Sequence, residues 1–181
     1  MPSDVFVASV LEDHLRQGEI LSDCVQYIYN PAEKTVVGKR HQFCIIASQD
    51  CDLERDWTDR SKDLASSINS ILLFPASDSG DRPNIVGNST LWMPAKRNSS
   101  ERFQVLEACP VDEDRKGSGV PALIIDFRRF FSVTPEQFYY QFQSGAAERR
   151  AVLRPPYREH FQNRAVNYLA RVALDRAHDV Q

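Results

Sequence analysis

The chain lacks any apolar run approaching the ~20 residues that cross a bilayer as a helix. It has no Cys-x-x-Cys pair, and its four cysteines, Cys24, Cys44, Cys51 and Cys109, are scattered. That spacing argues against structural zinc. A Walker A loop, a Rossmann glycine fingerprint, a His-Glu-x-x-His helix and a Gly-x-Ser-x-Gly elbow are all missing, so the common nucleotide-dependent, zinc-protease and hydrolase assignments have no support. No cofactor and no metal is expected. The first residues, MPSDVFVASVLEDHLRQ, carry acids and no basic leader, which does not fit a secretory signal. The expectation is a cytoplasmic chain with no membrane partner and with reduced thiols.

What is present is ordinary for a globular protein. Among 181 residues 42% are hydrophobic and 26% charged, enough for one domain with its own core. Proline outnumbers glycine, 10 to 7, which favours firm turns over flexible linkers. The net charge of −3 is unevenly spread. Residues 1–60 carry −5, residues 61–126 carry −2 and residues 127–181 carry +4, and every base in the last part is arginine. Arginine suits bidentate contacts to carboxylate or phosphate. Either a partner with a negative surface meets the C-terminal part, or that part packs on the acidic front of the same chain.

The patterning predicts a helix over 4–16, with Phe6, Val7, Val10, Leu11 and His14 on one face. Strand-like stretches follow: GEILSDCVQYIYNP, KTVVGKR with a glycine turn, HQFCIIAS, SINSILLFPAS, TLWMPA paired with RFQVLEACP, and a long VPALIIDFRRFFSV. In the last of these Leu123, Ile125, Phe127 and Phe131 share one face, with Asp126 and Arg128 on the other. Residues 49–63 read as a charged loop or a short exposed helix. Thr134-Pro135-Glu136-Gln137 is a helix start, and Gly145 ends that helix. Pro155-Pro156 opens a last helix over about 157–175. The fold class is α+β: a small antiparallel SH3-like barrel or sheet, with an N-terminal helix and two C-terminal helices. The barrel-like core spans about 18–133 and the helical part about 134–176 of one domain.

This order of strands, with Gly18-Glu19-Ile20 opening one, FCIIAS the next and PALIIDFRRFFSVTPEQF running into a helix, resembles the MazF/PemK family of small SH3-like barrels. The resemblance covers roughly 18–142. It implies a bacterial protein of toxin or defence type that binds or cleaves nucleic acid, RNA or DNA, without a metal. Arg40 would stabilise phosphate charge, with Ser48 or His41 nearby for proton transfer. Two departures stand out. No proline follows Arg40, and the strand runs into Asp50 and Asp52, acids that repel an RNA backbone.

Three constellations remain. Around Ser48-Gln49-Asp50-Cys51-Asp52, the strand end either holds a divalent cation on Asp50 and Asp52, with Glu54 or Asp56 assisting, or uses the two acids to cap the following backbone. Along the last helix, His160, Arg164, Asn167 and Arg171 border an apolar stripe of Tyr157, Phe161, Ala165, Tyr168, Leu169 and Val172. That row either tracks a phosphate backbone or acidic partner, or bonds within the protein. The alternative function is a non-enzymatic interaction or regulatory module that docks a protein partner, or a second copy as a homodimer, through aromatic and arginine anchors.

Overall fold

The computed structural model describes residues 4–87 and 89–170. Its centre is one antiparallel sheet of eight strands: β1 (Phe6–Ala8), β2 (Glu19–Asn30), β3 (Thr35–Ile46), β4 (Ile71–Asp78), β5 (Phe103–Leu106), β6 (Leu123–Asp126), β7 (Phe131–Val133) and β8 (Glu148–Leu153). The spatial order is β1-β8-β2-β3-β4-β6-β5, with β7 on β4 beside β6. The path does not close, so the α+β class holds and the molecule presents a sheet. Five helices cover it: α1 (Asp50–Arg60), α2 (Arg82–Val86), α3 (Ser89–Lys96), α4 (Pro135–Gln143) and α5 (Tyr157–Leu169).

The inner half of β3 reads FCII because both of its sides are covered. Phe43 and Ile45 enter one core with Phe74, Leu123, Ile125, Phe127 and Phe161 of α5. Cys44 and Ile46 enter the other with Leu53 of α1 and Phe138 of α4. The alternation expected for a central strand is therefore met. Thr134 caps α4 by accepting from the Gln137 N–H, as its sequence predicts.

Four expectations change. Residues 4–16 form β1 and an irregular segment, not a helix. Phe6 pairs with Leu153 of β8, while Val10 and Leu11 stay exposed. The carbonyls of Leu11, Asp13 and His14 accept from the Arg149 guanidinium, an arrangement that holds the segment out of a helical ladder. TLWMPA is the body of α3, because β5 takes β6 as its partner. The long strand over 120–133 is two strands; a turn held by the Asp126 carboxylate, which accepts from the Arg128 N–H, moves Phe131 into the opposite core from Leu123. Finally, β8 lies inside the stretch expected to be helical.

β8 is also where the sheet's charges are buried. Arg149 and Arg150 are neighbours on a strand, so they leave opposite faces. Arg149 meets the fully buried Glu19 of β2, with Nε–Oε1 at 2.6 Å and Nη2–Oε2 at 3.0 Å. Arg150 meets Asp114, with Nε–Oδ1 at 2.7 Å and Nη2–Oδ2 at 2.6 Å, and also donates to Ser118 Oγ and Gly119 O. Burial opposes ionisation of Asp114. The hydrogen bonds from Arg150 and from the Ser118 and Lys116 N–H groups outweigh it, and the carboxyl pKa falls below its ordinary 3.8.

A depressed carboxyl contributes stability that is present above its unfolded pKa and lost as pH falls through the folded one. Removing one partner of a buried ion pair costs about 3–5 kcal/mol. Asp114→Asn should therefore lose about that much in urea denaturation at neutral pH. The gap to the parent should close in acid, below the Asp114 pKa. Parallel stability curves across the acid range would contradict this role.

Candidate functional site

Two features stand outside the packed core: the far half of the β2–β3 hairpin and a cavity beside α5. The hairpin pairs ten residues of β2 with β3, from Ile20↔Ile45 to Asn30↔Thr35. Only its near end has other neighbours. β8 pairs with Glu19–Ser22, and β4 pairs with Phe43–Ile46. Gln141 of α4 closes the edge at Val25, accepting from its N–H at 2.7 Å and donating to its carbonyl at 3.0 Å. Beyond that point the two strands run on as an arm with no third strand among the described residues.

The arm is apolar on both faces. Directly paired residues share a face. Tyr27 with Gly38 and Tyr29 with Val36 make one face; Ile28 with Val37 lies on the other. All five side chains are exposed, Tyr29 to 59% and Val36 to 64%. Gly38 makes no turn. A Cβ there would come within 3.1 Å of Val25 Cγ1, so the glycine leaves room for the cross-strand neighbours. The turn at 31–34 starts with the Ala32 N–H donating to Asn30 Oδ1 and includes Lys34 at positive φ. Lys34, Lys39 and Arg40 against Glu33 make residues 26–40 net +2, which leaves −5 for the rest of the chain.

The sequence-predicted residues do not converge. Arg40 is on the arm, largely exposed, 3.4 Å from Asp23. His41 lies on the other face, bonded through Nε2 to Gln26 Oε1 at 3.0 Å and stacked on Phe131 at 4.8 Å. Burial first, and then nearby Lys39, lowers its pKa. Ser48 lies two residues past the end of β3, and the strand from Arg40 to Ile46 alone spans about 20 Å. Its Oγ accepts from the Leu72 N–H at 2.8 Å. Asp50 starts α1 and receives the Gln17 N–H at 2.9 Å and the guanidinium groups of Arg16 and Arg158. Asp52, one turn face away, is exposed.

The row on α5 also divides. Arg164 turns inward and donates to the carbonyls of Asn98, Ser100 and Phe103, the last at 2.7 Å. Burial holds its pKa below the ordinary value. His160 and Asn167 lie on either side of it. Asn167 and Arg164 line a cavity of about 190 Å³ with Glu101 and Tyr168. His160 lines a larger cavity of about 730 Å³, whose wall also holds Trp92, Lys96, Arg97, Gln104 and Tyr157. Arg171 lies outside the described residues. The arginines of 127–170 are all engaged internally: Arg128 and Arg129 with Asp126, Arg149 with Glu19, Arg150 with Asp114, Arg154 with Glu113, Arg158 with Asp50, and Arg164 as above. Of these acids Glu19 and Asp50 belong to the acidic front, so Arg149 and Arg158 make the contacts expected of internal packing on it.

The sequence reading missed both features for a nameable reason. The glycine of KTVVGKR suggests a turn that splits the arm into separate strands, whereas the two β-rich runs on either side of NPAEK pair as one ribbon. The cavity needs Trp92 and Lys96 one helical turn apart, which a strand reading of TLWMPA conceals. No family model, curated protein or solved structure matches the chain. Among the described residues no helix is long and apolar enough to cross a membrane.

Arg164→Ala should destabilise the fold by about 3 kcal/mol, since it leaves buried carbonyls without a charged donor. Hydrogen exchange should rise at residues 98–103. Unchanged exchange there would show that the guanidinium does not hold this segment.

Proposed function

We propose that the chain is a non-enzymatic protein–protein interaction module whose docking element is the β2–β3 arm and whose occupant is a second copy of the same chain. The observation that carries this reading is the arm itself, a two-stranded ribbon with Tyr27, Ile28, Tyr29, Val36 and Val37 exposed on its two faces. Isolated two-stranded ribbons are marginal in water, and contiguous exposed apolar surface marks an interaction site. Each aliphatic side chain of this kind gains about 1.5–3 kcal/mol on full burial. Charge favours the body of another copy as the receiving surface. The arm is net +2 and the remainder −5, so arm and body attract while two arms repel. An isologous contact of this kind places two arms symmetrically in a closed dimer.

Light scattering of the purified protein should give about twice the 20.7 kDa of one chain. Tyr29→Asp with Val36→Asp should return it to 20.7 kDa with an unchanged circular dichroism spectrum, because neither residue belongs to a core. A parent protein that stays at 20.7 kDa at high concentration contradicts the reading.

A second reading has one specific observation in its favour. Tyr27, Tyr29 and Arg40 share a face of a ribbon that also carries Lys34 and Lys39. A two-stranded ribbon fits the major groove of DNA, and exposed aromatics with cations suit single-stranded RNA. Binding through these three cations would fall with salt at a log–log slope of about −2 to −3. Anisotropy with mixed-sequence RNA and duplex DNA, repeated with Lys34, Lys39 and Arg40 changed to alanine, tests it. Joint catalysis by Arg40, His41 and Ser48 forms no part of this reading, given their separation.

A further inference from the structure

The arm is one half of a contact, and the chemistry of one of its faces describes the other half. Ile28 with Val37 and Gln26 with Lys39 are direct pairs on one face. His41 belongs to the same face by alternation along β3. Its ring stacks on Phe131, which lies in the core shared with Leu53 of α1 and Phe138 of α4. This face of the arm therefore looks to the side of the sheet that α1 and α4 cover. A surface fit to receive it carries exposed apolar groups bordered by acids.

The junction of α1 and α4 has both. The Trp57 and Tyr139 rings meet there with centroids 6.1 Å apart. The Arg60 guanidinium lies 4.9 Å over the Tyr139 ring and bonds to Glu136 at 2.8 Å. Tyr140 is 65% exposed. Leu64, whose N–H donates to the Asp59 carbonyl at 3.0 Å just past α1, is 57% exposed. Residues 50–64 carry six acids against three bases. Asp50 and Asp56 are held by arginines, whereas Asp52, Glu54, Asp59 and Asp63 face solvent wholly or in part. Aromatic surface with an acidic border complements an aliphatic ribbon that carries lysines. In addition, α4 adjoins the root of the arm, because Gln141, next to Tyr140, holds Val25. Each chain thus carries both halves of the contact side by side, as a closed two-fold dimer requires.

Given the dimer proposed above, on which this inference rests, we propose that the α1–α4 surface of each copy receives the arm of the other. Ile28 and Val37 pack against Trp57, Tyr139, Tyr140 and Leu64, and Lys34 and Lys39 meet Glu54 and Asp59.

Charge exchange in the full chain tests this pairing. Lys34→Glu with Lys39→Glu makes the arm acidic, and Glu54→Lys with Asp59→Lys makes the receiving surface basic. None of the four side chains is buried. Either pair of changes sets like charges against each other and should weaken dimerisation about tenfold or more, read by analytical ultracentrifugation. An equimolar mixture of the two variants should recover the parental affinity as a heterodimer, and a chain with all four changes should recover it as a homodimer. A parent that dimerises, with the Glu54/Asp59 variant dimerising as tightly, overturns this receiving surface and leaves the dimer through the arm standing. So does a mixture that fails to recover affinity. A parent that stays monomeric overturns the dimer itself, and this surface with it.

Discussion

The arrangement depends on how β8 meets its charges. Two consecutive arginines in the interior of a sheet are costly unless each finds a carboxylate and further acceptors. Arg149 finds Glu19 and the carbonyls of the 11–14 segment; Arg150 finds Asp114 and the 118–119 turn. Each pair ties a distant, irregular part of the chain to the centre of the sheet. The N-terminal segment is thereby fixed along one side of β8, and the 109–120 loop along the other. Asp50 repeats the device at the start of α1, where it gathers Arg16 and Arg158. The arginines Arg149, Arg150 and Arg158 are thus spent within the fold.

This geometry decides what is left over. β8 covers β2 only as far as Ser22, and β4 covers β3 only from Phe43. The hairpin continues beyond both, closed at Val25 by the amide of Gln141. Past that point Tyr27, Ile28, Tyr29, Val36 and Val37 are exposed, and no third strand pairs with the hairpin among the described residues. Elsewhere Arg164 fastens residues 98–103 against α5 and lines the smaller of two cavities. The larger is lined by Trp92, Lys96, Arg97, Tyr157 and His160 among others.

Much of the fold is legible in the residues. The two-sided burial of FCII, the Thr134-Pro135 helix start and the opening of α5 after Pro155-Pro156 follow from local chemistry and periodicity. β8 does not, because ERRAVL shows its buried character only when Glu19 and Asp114, 130 and 36 residues away, are brought to it. The helical spacing of residues 4–16 was misleading for the same reason: its carbonyls belong to Arg149. Of the candidate site residues, His160 and Asn167 reach cavities, Arg164 is internal, and Arg40, His41 and Ser48 are spread along β3 and just past its end. Their sequence proximity measured distance along a strand, which separates residues instead of gathering them.

The claim at the centre of this account is that the outer edge of the arm is covered in the working protein. Hydrogen exchange read by mass spectrometry at two protein concentrations, one low and one high, addresses it directly. The outward-facing amides of Tyr27, Tyr29, Val36 and Gly38 should be protected at high concentration and exchange rapidly on dilution, while those of Phe43–Ile46 stay protected throughout. Rapid exchange of the arm at both concentrations would mean that no second copy covers it, and the account would fail.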